Sequence, residues 1–504
     1  MSESVARRPV GRRLAISLAG AAALLATTSP ILASQASAAS IDPIIPAGSV
    51  SFLGYYGQDT GAASAVYPAV VGADQLWNAG YTGGGVGVAV IDTGINATGD
   101  LAGKVTKWVD FSGEGDGVDR FGHGTFIAGL IAGSGAASDG AIKGVAPDVN
   151  LINLKIAGRD GSADITHVMA ALQWAVSFKD VYNIRVVNLS LGTDSTQDYR
   201  LDPLNFAVER AWRAGLVVVV SAGNKGAAAG TINKPADDPY VITVGAARDN
   251  STPSISDDTV ASFSGAGPTA SNGLAKPDLL APGGSVVSTR VPGSSVDYAF
   301  PSARIGNSYF KGSGTSFANA ITAGAAALVL NRTPSLTPDQ VKARLVDTAT
   351  AGPSTDRTRV GAGWLNAYAA TMSDSTASAN QGLTPSTGTG SLQLSRGSLV
   401  DNIQTGVVTN LLGQILPVFN TVSGNKTAQN KTFDQNLYLT GPWTTSSWYT
   451  SSWYTSSWYT SSWYTSSWYT SSWYTSSWYT SSWYTSSWYT SSWYTSSWYA
   501  SDWT

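Results

Sequence analysis

Four short runs of β-branched and small apolar residues lie at 86–91, 186–191, 216–222 and 240–246, each bounded by Gly, Asn or Ser. None alternates apolar with polar positions. Each therefore predicts a strand buried on both faces, as in a parallel sheet. Between them, 165–176 and 203–214 carry apolar residues at helical spacing. Strand and helix in alternation predict an α/β fold with three layers, a mostly parallel central sheet and helices on both faces. Residues 316–331 are Ala-rich and apolar on all sides, which predicts a buried central helix.

Outside this pattern the chain changes character. Residues 1–38 read as a signal peptide. Arg7, Arg8, Arg12 and Arg13 precede an uncharged run at 14–28, and Ala36-Ser37-Ala38 offers a small-residue cleavage site. The run is too short for a membrane span, which takes about 20 apolar residues. Arg12-Arg13-Leu14 is a partial match to a twin-arginine signal. Residues 39–66 form a short extended lead-in, and 67–370 hold the α/β unit. Residues 371–390 are a Ser/Thr/Gly/Ala-rich linker. In 391–442 the scattered apolar residues fit a small strand module or a poorly ordered spacer equally well. Residues 443–504 are a low-complexity tail, in which Ser446-Ser447-Trp448-Tyr449-Thr450 opens a strict pentapeptide repeat without charge.

Composition narrows the chemistry. The 504-residue chain is 43% hydrophobic, 12% charged and free of cysteine. That excludes cysteine nucleophiles, thiolate metal sites and disulfide frameworks. Cleavage after Ala38 removes four arginines and Glu3, a net +3, so the formal charge of −3 becomes −6. An acidic mature chain argues against nucleic acid as its partner. The leader and the absence of a second long apolar run predict a secreted protein.

Ser316, in Gly314-Thr315-Ser316-Phe317-Ala318, opens the buried helix. A serine hydroxyl needs a base within hydrogen-bond reach to become a nucleophile. The chain has two histidines. His167 sits among apolar residues at helical spacing and reads as a solvated helix histidine. His123, in Gly122-His123-Gly124-Thr125, opens a small-residue helix and is the candidate base. Asp92 ends a strand before Thr93-Gly94, where α/β proteins place ligand sites, and would hold the histidine tautomer. Asn224, after the strand at 216–220, and the N–H groups at the start of the Ser316 helix are candidate oxyanion donors. Read singly, Asp92 and Asn224 are ordinary turn residues; the constellation gives them meaning. A lone Asp-Thr-Gly cannot supply the paired carboxylates of an aspartic protease.

With these residues in place the chain resembles the subtilisin-like serine proteases, the subtilases, over about 67–370. Asp92, His123 and Ser316 match the triad motifs and Asn224 the oxyanion asparagine. Asn188-Leu189-Ser190-Leu191-Gly192, Ala261-Ser262-Phe263-Ser264 and Lys276-Pro277-Asp278-Leu279-Leu280-Ala281-Pro282-Gly283 resemble further family segments. The resemblance implies a serine endopeptidase with a subtilisin-like fold. Its substrate, a polypeptide, would lie as a strand between Gly161-Ser162-Ala163 and Ser190-Leu191-Gly192. Asn233 would sit near the pocket base and Lys225 at its rim. Phe317 replaces a usual Met, Ala320 a usual Pro, Ile321 a common His, and Phe126 the second histidine of the family motif. Family members also carry a propeptide of several tens of residues. The lead-in at 39–66 is too short for one, which implies folding without it or maturation by another route.

No cofactor is required for this chemistry. Structural calcium is common in the family, and Glu114, Asp116 and Asp119 form an acidic loop that could bind it, although such loops are more often solvated. The aromatic tail suggests contact with the cell envelope or a polysaccharide. On this reading a chain ending near Ala370 keeps peptidase activity and loses envelope binding. The alternative is a surface or matrix adhesion protein that uses a protease-like scaffold.

Overall fold

An eight-stranded sheet carries the chain from residue 87 to residue 282. Its strands run in the order Thr259–Val260, Ile242–Arg248, Val217–Ser221, Ile184–Leu189, Gly87–Asp92, Asn150–Lys155 and Val105–Asp110, with Leu279–Pro282 also on Ile242–Arg248. All pairs are parallel except Thr259–Val260, which is antiparallel. From Gly87–Asp92 the chain runs to the edge strand Val105–Asp110, fills in Asn150–Lys155 between the two, and then crosses to build outward on the other side. Gly87–Asp92 is therefore the topological switch point, and its carboxyl end is where open α/β sheets place a ligand.

This computed structural model describes residues 51–52, 55–56, 62–352, 354–398, 402–409 and 415–444. The expected signal peptide and the repeats beyond Thr444 lie outside the described residues.

The strands match the sequence reading in kind and shift at their ends. Gly87–Asp92 includes Asp92 itself and is buried at all six positions. The run at 186–191 is two elements: Ile184–Leu189 in the sheet, and Leu191–Gly192 turned away to pair antiparallel with Ser51–Phe52. The other two strands are Val217–Ser221 and Ile242–Arg248. Thr315–Arg332 is buried from Thr315 through Leu330 and packs on the sheet together with His123–Ala132. Ile165–Phe178 and Pro203–Arg213 pack on each other and on the sheet as a second helical layer. A smaller sheet joins Val286–Thr289, Arg304–Ile305 and Tyr309–Ser313, and Tyr55–Tyr56 adds to it antiparallel against Gly312 and Ser313.

His167 is not solvated. It is fully buried within Ile165–Phe178, and burial drives its pKa down to about 4. The segment after Ala370 also departs from expectation. Asp374 pairs with Arg332, and Asn380 donates to the Tyr240 carbonyl and the Asp339 carboxylate. Ser386 N–H donates to Glu209 Oε1 at 2.8 Å. A short helix at Leu392–Arg396, a hairpin of Asn402–Thr409 and Ile415–Thr421, and a helix at Gln435–Thr440 follow. Leu392, Phe433, Tyr438 and Trp443 join the main core. Tyr438 Oη donates to the Pro203 carbonyl at 2.8 Å, and Arg210 stands 4.8 Å over the Trp443 ring. Cutting at Ala370 would remove these side chains from the core and uncover the surface they pack on. Among the described residues no helix is long and apolar enough to cross a membrane.

Candidate active site

Asp92 ends the switch-point strand, and its Oδ1 lies 2.7 Å from His123 Nδ1, both side chains being buried. Burial pushes the Asp92 carboxyl up, and the attraction of His123 only partly offsets it. The close approach depends on Gly124. A Cβ there would stand 2.2 Å from the Gly94 carbonyl oxygen, so any side chain would push the histidine helix off the Asp92 loop.

Asp119 holds the two pieces in register. It accepts from Thr93 Oγ1 at 2.9 Å, Gly122 N at 2.7 Å, Thr125 N at 2.8 Å and Thr125 Oγ1 at 2.7 Å. One carboxylate thus binds the residue after Asp92 and residues on both sides of His123. With Glu114 and Asp116 it belongs to the acidic loop that the sequence reads as more often solvated than calcium-binding. That set does not fit a cation, because its carboxylates are already engaged. Glu114 Oε2 lies 2.6 Å from Lys155 Nζ and 2.9 Å from Arg120 Nη1. Asp116 takes Arg120 at 2.8 and 2.7 Å. A calcium ion there would meet two fixed positive charges.

Ser316 lies in the first turn of Thr315–Arg332, and its Oγ donates to the Ser190 carbonyl at 3.0 Å. A hydroxyl has one proton, so delivering it to His123 requires giving up the bond to the Ser190 carbonyl. The His123 ring lies beside the next residue, with 6.0 Å between the His123 and Phe317 centroids. Beneath the serine, Ser190 Oγ donates to the Ser316 carbonyl at 3.0 Å and accepts from Asn188 Nδ2 at 2.9 Å and Asn319 Nδ2 at 3.2 Å. Asn188 and Asn319 are further members of this site. The signal for Asn319 was an amide inside an otherwise apolar helix. Asn224 Oδ1 accepts from Thr315 N at 3.0 Å and Thr315 Oγ1 at 2.9 Å. With its oxygen so engaged, the amide's donor end is Nδ2.

The residues expected to flank a substrate lie nearby in two groups. Gly161 has φ +73°, and a Cβ on it would meet the Phe121 ring at 2.7 Å. Ser162 donates to Asp160 Oδ1 through both N (2.9 Å) and Oγ (2.8 Å), and Ala163 is buried. In the second group, Leu191–Gly192 carries the strand Ser51–Phe52, with Ser51 opposite Gly192 and Phe52 opposite Leu191. Asn233 fills the space beside Gly192, where a Cβ would meet its amide at 1.8 Å. Oriented to donate, that amide reaches the carbonyls of Ser221 at 2.9 Å and Ala222 at 3.2 Å. Lys225 is exposed, and its Nζ lies 3.7 Å from Asp194 Oδ2. Lys225 thus has a counter-charge beside it.

The profile described as the subtilase family matches residues 83–370. The chain is 44% identical over 292 residues to a serine protease AprX of Bacillus subtilis (strain 168), covering 57% of this chain and 66% of that one. It is 37% identical to subtilisin DY of Bacillus licheniformis over 285 residues, 56% of this chain and 89% of that one. It is also 37% identical to subtilisin Savinase of Lederbergia lenta over 302 residues, 60% of this chain and 96% of that one. The aligned part thus spans slightly under two thirds of the first relative and most of the other two.

Proposed function

The chain belongs to the subtilase family, and we propose that it is a secreted serine endopeptidase that cuts polypeptides through an acyl-enzyme. The 2.7 Å contact between buried Asp92 and His123, beside the helix that carries Ser316, is the observation that carries this reading. The Ser316 hydroxyl swings from the Ser190 carbonyl toward His123 Nε2. His123 takes its proton as Oγ attacks the scissile carbonyl. It then gives that proton to the leaving amine as the C–N bond breaks, and water releases the acyl group by the same route. Asp92 keeps Nδ1 protonated and stabilises the imidazolium. Asn224 Nδ2 and the Ser316 N–H in the first turn of its helix receive the oxyanion. The chemistry requires no cofactor.

The substrate lies as a strand between Gly161-Ser162-Ala163 and Ser190-Leu191-Gly192, with Asn233 at the pocket base and Lys225 at the rim. The chain itself supports the second edge, since Ser51–Phe52 already pairs antiparallel with Leu191–Gly192. The Trp/Tyr repeats retain the enzyme at the cell envelope, where aromatic faces and hydroxyls suit a polysaccharide and many weak contacts add.

The test is hydrolysis of an unfolded protein by the wild type beside Ser316→Ala, His123→Ala and Asp92→Asn. Each variant should lose on the order of 10⁴ or more in kcat. Only chains with Ser316 should take a fluorophosphonate label. Full activity in Ser316→Ala would remove the proposal.

A further inference from the structure

Four consecutive residues of the C-terminal segment touch the residues that follow both proposed substrate edges. On one side Asp164 follows Ala163. Buried Arg396 donates to it through Nε at 2.6 Å and Nη2 at 3.4 Å. On the other side Thr193 and Asp194 follow Gly192. Thr193 Oγ1 donates to the Ser395 carbonyl at 2.9 Å, and Ser398 N–H donates to Asp194 Oδ1 at 2.8 Å. Ser398 Oγ also bonds Asp194 Oδ2.

We propose that Ser395, Arg396, Gly397 and Ser398 form a bracket that sets the spacing of the two acyl-side substrate edges, with Arg396 as its positioning residue. This rests on the substrate-edge reading given above. Asp164 is the hinge of the argument. Its Oδ1 accepts from Thr166 N at 3.0 Å and Thr166 Oγ1 at 2.5 Å, capping the helix Ile165–Phe178. Fixing this carboxylate fixes where the chain leaves the edge and enters the helix. Burial, the largest single effect, raises the Asp164 pKa, but the Arg396 charge together with the hydrogen bonds from Arg396 and Thr166 holds the group below its ordinary value. Arg396 is braced in turn, because Nη1 donates to the Gly424 carbonyl at 2.8 Å and Nη2 to that of Lys426. Ala428 N–H returns to Thr166 Oγ1 at 3.0 Å.

Removing Arg396 leaves a buried carboxylate without its cation, the costly way to break such a pair. The edge ahead of Asp164 then loses its fixed position, while Asp92, His123 and Ser316 keep theirs. The grip on residues far to the acyl side falls, and the chemical step does not.

The experiment compares a peptide amide bearing four residues on the acyl side with an ester bearing one, using the full chain. Active enzyme is counted by fluorophosphonate titration, so a lower folded yield cancels. For Arg396→Gln, KM for the long substrate should rise about tenfold with kcat nearly constant, and the short ester should be unaffected. Arg396→Met with Asp164→Asn, which removes both charges, should recover part of the loss. Exposed Ser398→Ala should shift the long substrate's KM about two- to threefold, and it tests the bracket if the arginine variants fail to fold. Equal changes on both substrates, or none on the long one, would overturn the bracket alone. A wild type that gains nothing from the longer acyl side would overturn the substrate-edge reading and the bracket with it.

Discussion

Phe126 and Phe317 meet between the helix that carries His123 and the helix that carries Ser316, with ring centroids 4.5 Å apart and planes at 41°. Subtilases commonly place histidine at the first position and methionine at the second. The two departures are therefore one packing unit. Tilted aromatic pairs of this kind contribute roughly 0.5–1.5 kcal/mol beyond the area they bury.

Peroxide should distinguish this arrangement from a methionine at the same place. Methionine next to the nucleophile becomes a polar sulfoxide, a route closed to phenylalanine. Wild-type activity should survive an exposure that inactivates Phe317→Met. Equal loss in both enzymes would show that oxidation acts elsewhere.

Asn224→Ala should lower kcat by about 10²–10³ with KM little changed, because an oxyanion donor serves the transition state. Its Oδ1 also holds Thr315, so the melting temperature must be read alongside. A rise in KM alone would assign Asn224 to binding or to the turn.

Stability should fall as pH rises through the range of Glu209. Burial and then the Asp238 charge push its carboxyl up to about 8 from an ordinary 4.5. A raised folded-state pKa gives stability that is complete below 4.5 and lost as pH climbs through 8. Between pH 5 and 9 the melting temperature should drop further in the Ser316→Ala background than in Ser316→Ala/Glu209→Gln. Parallel curves for the two would refute the assignment.

Two truncations separate packing from retention. A chain ending at Thr444 should keep its melting temperature and peptidase activity yet leave the envelope fraction. A chain ending at Ala370 should melt well below it, since Tyr438 and Trp443 no longer fill their places and Arg396 no longer neutralises Asp164. Identical melting of the two would mean the last segment rides on the enzyme without supporting it, and unchanged partition of the first would end the envelope proposal.

The strands and the positions of Asp92, His123 and Ser316 were legible because each rests on a local pattern: a β-branched run, or a motif ringed by glycines. What the sequence hid are contacts between side chains far apart in the chain. Asp164 and Arg396 are separated by 232 positions, and Asn188 and Asn319 by 131. Asp119 was visible but its role was not, since an acidic residue in a glycine-rich loop gives no sign of the five donors around it. His167 shows the same limit. Apolar neighbours at helical spacing describe a helix with one wet face as well as one that is buried outright. The segment after 390 lacked a period because its anchors, Leu392, Phe433, Tyr438 and Trp443, are irregularly spaced along the chain and the last three cluster only in the fold.

The strands Ser51–Phe52 and Tyr55–Tyr56 lie on Leu191–Gly192 and on Gly312 and Ser313, so two residues of chain join the edge strand to the strand that leads into Ser316. On the proposed substrate-edge reading Ser51–Phe52 is a tethered occupant of the cleft, acting at a local concentration of about millimolar. An incoming peptide then competes with a neighbour that never diffuses away. If the cleft is open one hundredth of the time, apparent affinity falls about a hundredfold with no change in any contact the substrate makes. Removing residues 1–57 should lower KM and leave kcat alone, which would make the N-terminal segment the setting on a rheostat for an otherwise finished enzyme.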